Sequence, residues 1–90
     1  MLTNKRQNQN RVNKIILALK QARINRGITR YQLSKDTGLS DSSISNIEQL
    51  KQNPTLSTLM EMAVSINFDL PKALKENYPD LPEDGKNTSE

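Results

Sequence analysis

The sequence predicts an all-α protein, because its apolar residues recur mostly at spacings of three and four, the pattern of helices that bury one face. Residues that favour helix starts and stops, namely Ser, Thr, Asn, Asp, Gly and Pro, stand between these periodic segments. No stretch of useful length alternates between polar and apolar residues as a half-buried strand would. The 90 residues suffice for one domain at most, with a modest core.

The first helix follows a polar segment. Residues 1–12 are rich in Asn, Gln, Lys and Arg, and we expect a flexible basic arm there. The helical pattern then runs to about Gly27, and its apolar residues are Val12, Ile15, Ile16, Leu19 and Ile24.

The second and third helices are predicted to be short. Thr29 and Gln32 have the form of a capping box, in which the Thr hydroxyl accepts from the Gln32 backbone and the Gln side chain reaches back. Gly38 suits the left-handed conformation that ends a helix. Ser40 can cap a third helix that runs to about Gln49.

The fourth and fifth helices are predicted beyond the break at Pro54. Thr55 is a cap for the fourth helix, and Asn67 can end it in the left-handed conformation. Asp69 caps a last helix that runs to about Lys75. The apolar stripe of the fourth helix is formed by Leu56, Leu59, Met62, Ala63 and Ile66.

The chain therefore divides into an arm over residues 1–12, a helical domain over residues 13–76 and a disordered acidic tail over residues 77–90. No apolar run approaches the length of a membrane span, and residues 1–13 lack the apolar stretch of a secretory signal. We expect a cytoplasmic protein that does not associate with membranes.

The composition argues against catalysis. The sequence has neither Cys nor His, so it lacks disulfides, thiolate ligands, and the commonest general base and metal ligand. Its three glycines stand alone and form no phosphate-binding loop. We therefore expect no enzyme activity, no catalytic residues, no metal site and no cofactor.

Charge is distributed unevenly along the chain. Residues 1–35 hold nine basic residues and no acidic one, whereas the remainder holds four lysines and ten acids. The two parts thus carry about +9 and −6. Segregated positive charge is typical of proteins that bind polyanions. The alternative is a solvated basic surface without a partner.

The third predicted helix has an unusual outward face. At 100° per residue, Ile44 and Ile47 fall on one side. The other side has short hydroxyl and amide side chains and no Lys or Glu. Long charged residues are more usual on an exposed helix, because they favour the helical conformation more than Ser or Asn do. Amides can pair bidentately with adenine, and Ser can bond to either base type. The face therefore favours major-groove readout.

Residues 15–74 contain, in order, Gly27-Ile28-Thr29, Gln32-Leu33-Ser34, Thr37-Gly38-Leu39-Ser40, Ile44-Ser45-Asn46-Ile47-Glu48 and Asn53-Pro54-Thr55-Leu56, with Leu59, Ala63 and Ile66. The resemblance of this series is to the helix-turn-helix family of lambda-type repressors and Cro proteins. It implies a compact five-helix, lambda-repressor-like DNA-binding domain whose third helix enters the major groove of double-stranded DNA.

The resemblance and the outward face together nominate DNA-contacting residues. The predicted base-reading residues are Asp41, Ser42, Ser45, Asn46 and Gln49. The predicted phosphate-contacting residues are Thr29, Arg30, Tyr31, Lys35, Ser40, Lys51, Gln52 and Asn53. Arg30 stands where Gln is more usual, and Tyr31 could equally be an ordinary exposed side chain. The arm residues Lys5, Arg6 and Arg11 either follow a groove or only add solubility.

The resemblance also implies a structural ion pair between Arg23 of the first helix and Glu48 of the third. Two positions depart from the family pattern. Leu50 stands where the family often has Gly to turn the chain, so we expect either a longer third helix or a different turn. Asp41 places an acid near the DNA, where it could bond to a cytosine amine or only favour the helix dipole.

Three functions remain open. The chain could be a sequence-specific transcriptional regulator, most simply a repressor, that binds a palindromic operator. It could be a DNA-binding antitoxin or autoregulator whose termini bind a protein partner. It could instead use the fold as a protein-interaction module, such as a phage-type inhibitor. We expect a homodimer with a seam formed by Phe68, Leu70, Leu74 and Tyr78, although these residues could simply close the core.

Overall fold

The computed structural model describes residues 4–82. In that part of the chain there are five α-helices and no β-strand, so the all-α prediction is confirmed. The helices are α1 (Lys5–Asn25), α2 (Arg30–Thr37), α3 (Asp41–Glu48), α4 (Leu56–Ser65) and α5 (Leu70–Asn77). Helix α1 packs against α3 and α5, and α2 packs against α3 and α4. No helix within residues 4–82 is long and apolar enough to cross a membrane.

A side-chain cap starts every helix. Asn4, Thr29, Ser40, Thr55 and Asp69 each accept a hydrogen bond from the backbone N–H three residues later. Such a cap typically stabilises a protein by about 1 kcal/mol, because it satisfies a backbone donor that the helix cannot. The four caps expected from the sequence are thus present, and Asn4 adds a fifth.

The capping box expected at Thr29 forms only in part. The Thr29 hydroxyl accepts from the Gln32 backbone N–H at 3.0 Å. The Gln32 side chain does not reach back; it donates to Asp36 Oδ1 at 2.9 Å. This charge-assisted bond directs the Gln32 amide along α2 towards the carboxylate one turn ahead, so its oxygen does not accept from the Thr29 backbone N–H.

The prediction of a flexible arm is wrong for residues 5–12, which form the first two turns of α1. A reciprocal capping box between Asn4 and Gln7 starts the helix at this point. Its first turns are also attached to distant parts of the chain. The amides of Gln9 and Asn53 exchange two hydrogen bonds of 3.0 Å, and the hydroxyl of Tyr78 donates to Asn8. Residues 1–3 of the expected arm lie outside the described residues.

The prediction of a disordered tail is wrong for residues 77–80. Asn77 is the last residue of α5, where its side chain donates to the Ala73 carbonyl at 2.8 Å. Beyond it, Asp80 accepts from Arg11 Nη1 at 2.7 Å, and the Arg11 guanidinium lies 4.8 Å from the centre of the Tyr78 ring. The chain after α5 is therefore held against α1 up to Asp80. Residues 83–90 of the expected tail lie outside the described residues.

Each of the four connections between helices contains one left-handed residue. Gly27 and Gly38 have φ of 71° and 80°, and Asn67 has φ of 58° as the sequence predicted. Leu50 adopts the same conformation with φ of 64°. Helix α3 therefore does not extend past Glu48. Instead Leu50 makes the turn that a glycine would make, at a cost of about 1–3 kcal/mol in backbone strain.

The core lies between the inner faces of all five helices. Its buried residues are Ile15, Ile16, Leu19, Leu33, Ile44, Ile47, Met62, Ala63, Ile66, Leu70 and Ala73. Two residues assigned to apolar stripes from the sequence are exposed instead, namely Ile24 and Leu56. Each lies at one end of its helix, beyond the turns that neighbouring helices cover. The core therefore relies on the middle of α1 and the second half of α4.

The predicted dimer seam lies largely within the core of the single chain. Leu70 is buried, and Phe68, Leu74 and Tyr78 are half-buried against the core cluster. Their alternative role of closing the core is therefore the one that the contacts show. Only the outer parts of the three half-buried side chains are left for a neighbouring molecule.

Candidate nucleic-acid interface

Helix α3 presents one apolar and one polar face. Ile44 and Ile47 point into the core, where both are fully buried. Four of the predicted base-reading residues are exposed on the other side, and Ser45 is half-buried between the two faces. The exposed four are Asp41, Ser42, Asn46 and Gln49. The structure thus brings the five predicted base-reading residues together on α3 and its C-cap residue, Gln49.

Hydrogen-bonding capacity varies across this face. Gln49 Nε2 donates to Ser45 Oγ at 2.7 Å, so these two groups satisfy each other in the free protein. The Asn46 side chain has no hydrogen-bond partner within residues 4–82, and the residue is exposed. Asn46 can therefore bind a base edge without first breaking an internal hydrogen bond.

Serine hydroxyls surround the N-terminus of α3. Ser40 Oγ accepts from the Ser43 backbone N–H at 3.0 Å, which is the cap of the helix. The same oxygen lies 2.9 Å from Ser43 Oγ and 3.3 Å from Ser42 Oγ. Because these groups are small and polar, they leave the first turn of α3 accessible while its backbone donors point outward.

The unexpected acid at the start of α3 has a cationic neighbour. Asp41 Oδ1 lies 4.0 Å from Arg30 Nε, and both side chains are exposed. Arg30 is the first residue of α2, so the pair joins the first turns of the two helices. The Asp41 carboxylate therefore lies beside a positive charge, which offsets part of its repulsion from a phosphate backbone.

Positive charge surrounds the polar face on α2 and on the loop after α3. The eight predicted phosphate-contacting residues are all exposed. Lys35 Nζ lies 5.4 Å from the centre of the Tyr31 ring, so the aromatic ring holds this ammonium group at the surface.

In the loop after α3, the Lys51 backbone N–H donates to the Asn46 carbonyl at 2.8 Å and closes the turn at Leu50.

The loop between α3 and α4 is attached to α1 by the Gln9–Asn53 amide pair, which the sequence did not suggest. Gln9 also donates to Asn13 one turn along α1 at 2.8 Å. This attachment limits the motion of Lys51 and Gln52, the neighbours of Asn53. No periodicity or motif in the sequence indicates a pairing between residues that are 44 positions apart.

A buried ion pair fixes the orientation of α3. Arg23 of α1 donates through Nε to Glu48 Oε2 at 2.6 Å and through Nη2 to Oε1 at 2.8 Å. Arg23 also donates to the Ile28 carbonyl at 2.6 Å, which ties in the loop before α2. The pair expected from the family resemblance thus forms a two-pronged bridge. Its hydrogen bonds are directed, so they set the rotation of α3 about its axis.

Comparison with known proteins agrees with this geometry. A helix-turn-helix family model matches residues 19–72, which is more than half of the chain and contains α2, α3 and α4. No curated protein and no solved structure matches the chain significantly. The chain therefore belongs to the helix-turn-helix family of the phage-repressor and Cro type, a family of DNA-binding transcription regulators.

Proposed function

We propose that this protein binds double-stranded DNA sequence-specifically, with the outward face of α3 in the major groove. The observation that supports this most directly is the exposed, unpartnered amide of Asn46 at the centre of a face of short polar side chains. Asparagine can bond to both N6 and N7 of adenine, and the neighbouring Ser42 can bond to either base type. Gln49 can join them once it gives up its internal bond to Ser45.

The phosphate backbone would be held on both sides of this helix. Arg30 and Lys35 flank it on α2, and Lys51 with Gln52 flanks it on the following loop. Each cation that neutralises a phosphate releases a counterion, so these contacts add affinity without sequence preference. The Gln9–Asn53 pair keeps the loop in place for this contact.

The regulator acts as a homodimer on a palindromic operator. Helix α3 has eight residues, which reach only a few base pairs, and two copies related by a two-fold axis would read two half-sites. The outer parts of Phe68, Leu74 and Tyr78 are the surface proposed for the seam. Occupation of the operator blocks polymerase, so the protein represses without any catalysis.

Selection of bound duplexes from a random library tests the DNA-binding proposal. The proposal expects a two-fold symmetric motif with half-site centres about one helical turn apart, roughly 34 Å. Titration of the selected duplex at two salt concentrations should give weaker binding at the higher one. Enrichment of no motif, with only weak and steeply salt-dependent binding, would contradict sequence-specific reading.

The seam has its own test in sedimentation measurements. Leu74→Asp should give monomers, because burying an unpaired carboxylate in the seam costs several kcal/mol of desolvation free energy. These monomers should still show helical circular dichroism. The matched control Val64→Asp, on the exposed face of α4, should remain dimeric. A folded Leu74→Asp variant that stays dimeric would place the interface elsewhere.

A further inference from the structure

Helix α4 exposes an apolar stripe formed by Leu56, Met60 and Val64. The three residues follow one another at spacings of four, and their exposed fractions are 67%, 47% and 81%. The buried side chains of Met62 and of the C-cap residue Ile66 lie on the other side of the helix. A single exposed apolar residue is ordinary. Three aligned on one short helix form a continuous apolar surface whose exposure to water is unfavourable.

Beside the stripe lies an open groove between α4 and the end of α2, with a volume of about 750 Å³. Met60 and Val64 belong to its wall, together with the carboxylate-bearing residues Asp36 and Glu61. Ser65 Oγ donates to Asp36 Oδ2 at 3.4 Å across the groove. Among the described residues that line the groove, none is basic. The surface is therefore apolar with an acidic rim.

The acidic rim argues against anionic occupants. DNA and anionic lipid surfaces both attract clusters of Lys and Arg, and both would be repelled by Asp36 and Glu61. The segment 83–90 of this chain holds three acids and one lysine, so its charge does not complement the groove either. None of the residues that we assign to DNA lines the groove.

A second copy of this chain is also disfavoured by charge. Antiparallel two-fold pairing of α4 with itself would place both Glu61 side chains on the same side of the seam, beside the central Met60 residues. Each Asp36 would add negative charge to that same side. Like charges that face each other across an interface lower affinity, so the acids oppose self-association here.

We propose that the α4 stripe and its groove bind an amphipathic helical segment of another protein, one with apolar anchors beside Lys or Arg residues. The anchors of such a helix, spaced at three, four and seven residues, contact Leu56, Met60 and Val64. Its basic residues meet Asp36 and Glu61 at the rim. Because the groove contains no residue assigned to DNA, the protein can hold this partner and an operator together. This surface does not depend on base reading by α3.

Selection from a displayed library of helical peptides with randomised surface positions tests this proposal directly. The target is the full chain, and peptides that also bind the Val64→Glu variant are removed. The proposal expects selected peptides with a helical apolar stripe and a net positive charge. Peptides without a basic bias, or selection that enriches no peptide, would overturn it.

The selected peptide then provides a quantitative test by titration of isotope-labelled full-length protein. Backbone signals of Asp36, Met60, Glu61 and Val64 should shift. Met60→Glu, a variant that the selection does not use, should weaken binding at least ten-fold, since one added charge opposes burial of the stripe. Leu17→Glu, at an exposed apolar position of α1, should leave the affinity unchanged.

Charge complementarity is tested separately with Asp36→Asn and Glu61→Gln. Each substitution should lower the affinity for the peptide by up to about five-fold, and these losses should be smaller at high salt. Both variants must retain wild-type circular dichroism and DNA binding. Unchanged affinity in both, shifts on another surface, or a wild-type dimer that Val64→Glu dissociates would each overturn the proposal. An α3 variant that loses DNA binding and still binds the peptide would support the independence of the two surfaces.

Discussion

The outward faces of α3 and α4 depart from an ordinary solvent-facing helix in opposite ways. Helix α3 exposes Ser42 and Asn46, which are short, polar and poor helix formers. Helix α4 exposes Met60 and Val64, which are large and apolar. Both helices are short, and both bury aliphatic residues on their inner sides. Packing of the inner face therefore stabilises each helix, and the outer face is free to serve binding.

The charges beside the two faces also have opposite signs. Arg30 and Lys51 are exposed near α3, whereas Asp36 and Glu61 line the groove beside α4. A polar face with cations nearby suits a nucleic acid, and an apolar face with acids nearby suits a basic protein segment. Residue size and charge thus distinguish two exposed faces within one small domain.

The largest expected effect is on the scaffold that orients α3 relative to the rest of the domain. Glu48→Ala leaves the Arg23 guanidinium buried without its carboxylate, and we expect a loss of about 3–5 kcal/mol in the free energy of unfolding. Urea denaturation measures this change. Asp41→Ala, which removes the exposed partner of Arg30, is the control and should cost less than about 1 kcal/mol. Similar losses in both variants would contradict the assigned role of Arg23 and Glu48.

The second-largest expected effect is a loss of DNA affinity when a cation beside α3 is removed. Arg30→Ala should weaken binding to selected and random duplexes alike, because a phosphate contact conveys no base preference. The slope of log affinity against log salt should flatten by about one unit. Titrations at several salt concentrations measure both quantities. A loss confined to the selected sequence would instead make Arg30 a base-reading residue.

The smallest expected effect is a pH dependence at the contact between α1 and the chain after α5. The hydrogen bond from Arg11 lowers the pKa of the Asp80 carboxyl. Such a carboxyl stabilises the fold above its unfolded pKa of about 3.9, and this contribution disappears as the pH falls through its lower folded value. Wild type should therefore exceed Asp80→Asn slightly in stability at neutral pH and match it in strong acid. Denaturation at both pH values tests this, and a constant difference would contradict it.

Much of the fold could be predicted from local signals. The caps at Ser40, Thr55 and Asp69 follow from residue type and position, because the physics of a helix start involves only four neighbouring residues. The left-handed Asn67 is local in the same way. The start of α1 was missed because its polar composition resembled disorder, although Asn4 and Gln7 have the capping-box spacing.

Non-local contacts could not be predicted in this way. The Gln9–Asn53 and Arg11–Asp80 pairs depend on where α1 lies relative to two distant segments, which no periodicity encodes. The exposure of Leu56 is similar, since its spacing fits the buried stripe but no neighbouring helix covers the first turn of α4. The face of α3 was predictable because residues on one helix share a face by geometry alone. The cationic neighbour of Asp41 required the structure.

The central claim, that α3 reads bases and α4 does not, is tested most directly by one ratio. The ratio is the affinity for the selected duplex divided by the affinity for random duplex, measured for wild type, Asn46→Ala and Val64→Ser. We expect Asn46→Ala to lower the free-energy difference that corresponds to this ratio by about 1–3 kcal/mol at a preferred base, and Val64→Ser to leave it unchanged. Equal losses on both duplexes for Asn46→Ala, or a lower ratio for Val64→Ser, would contradict the claim.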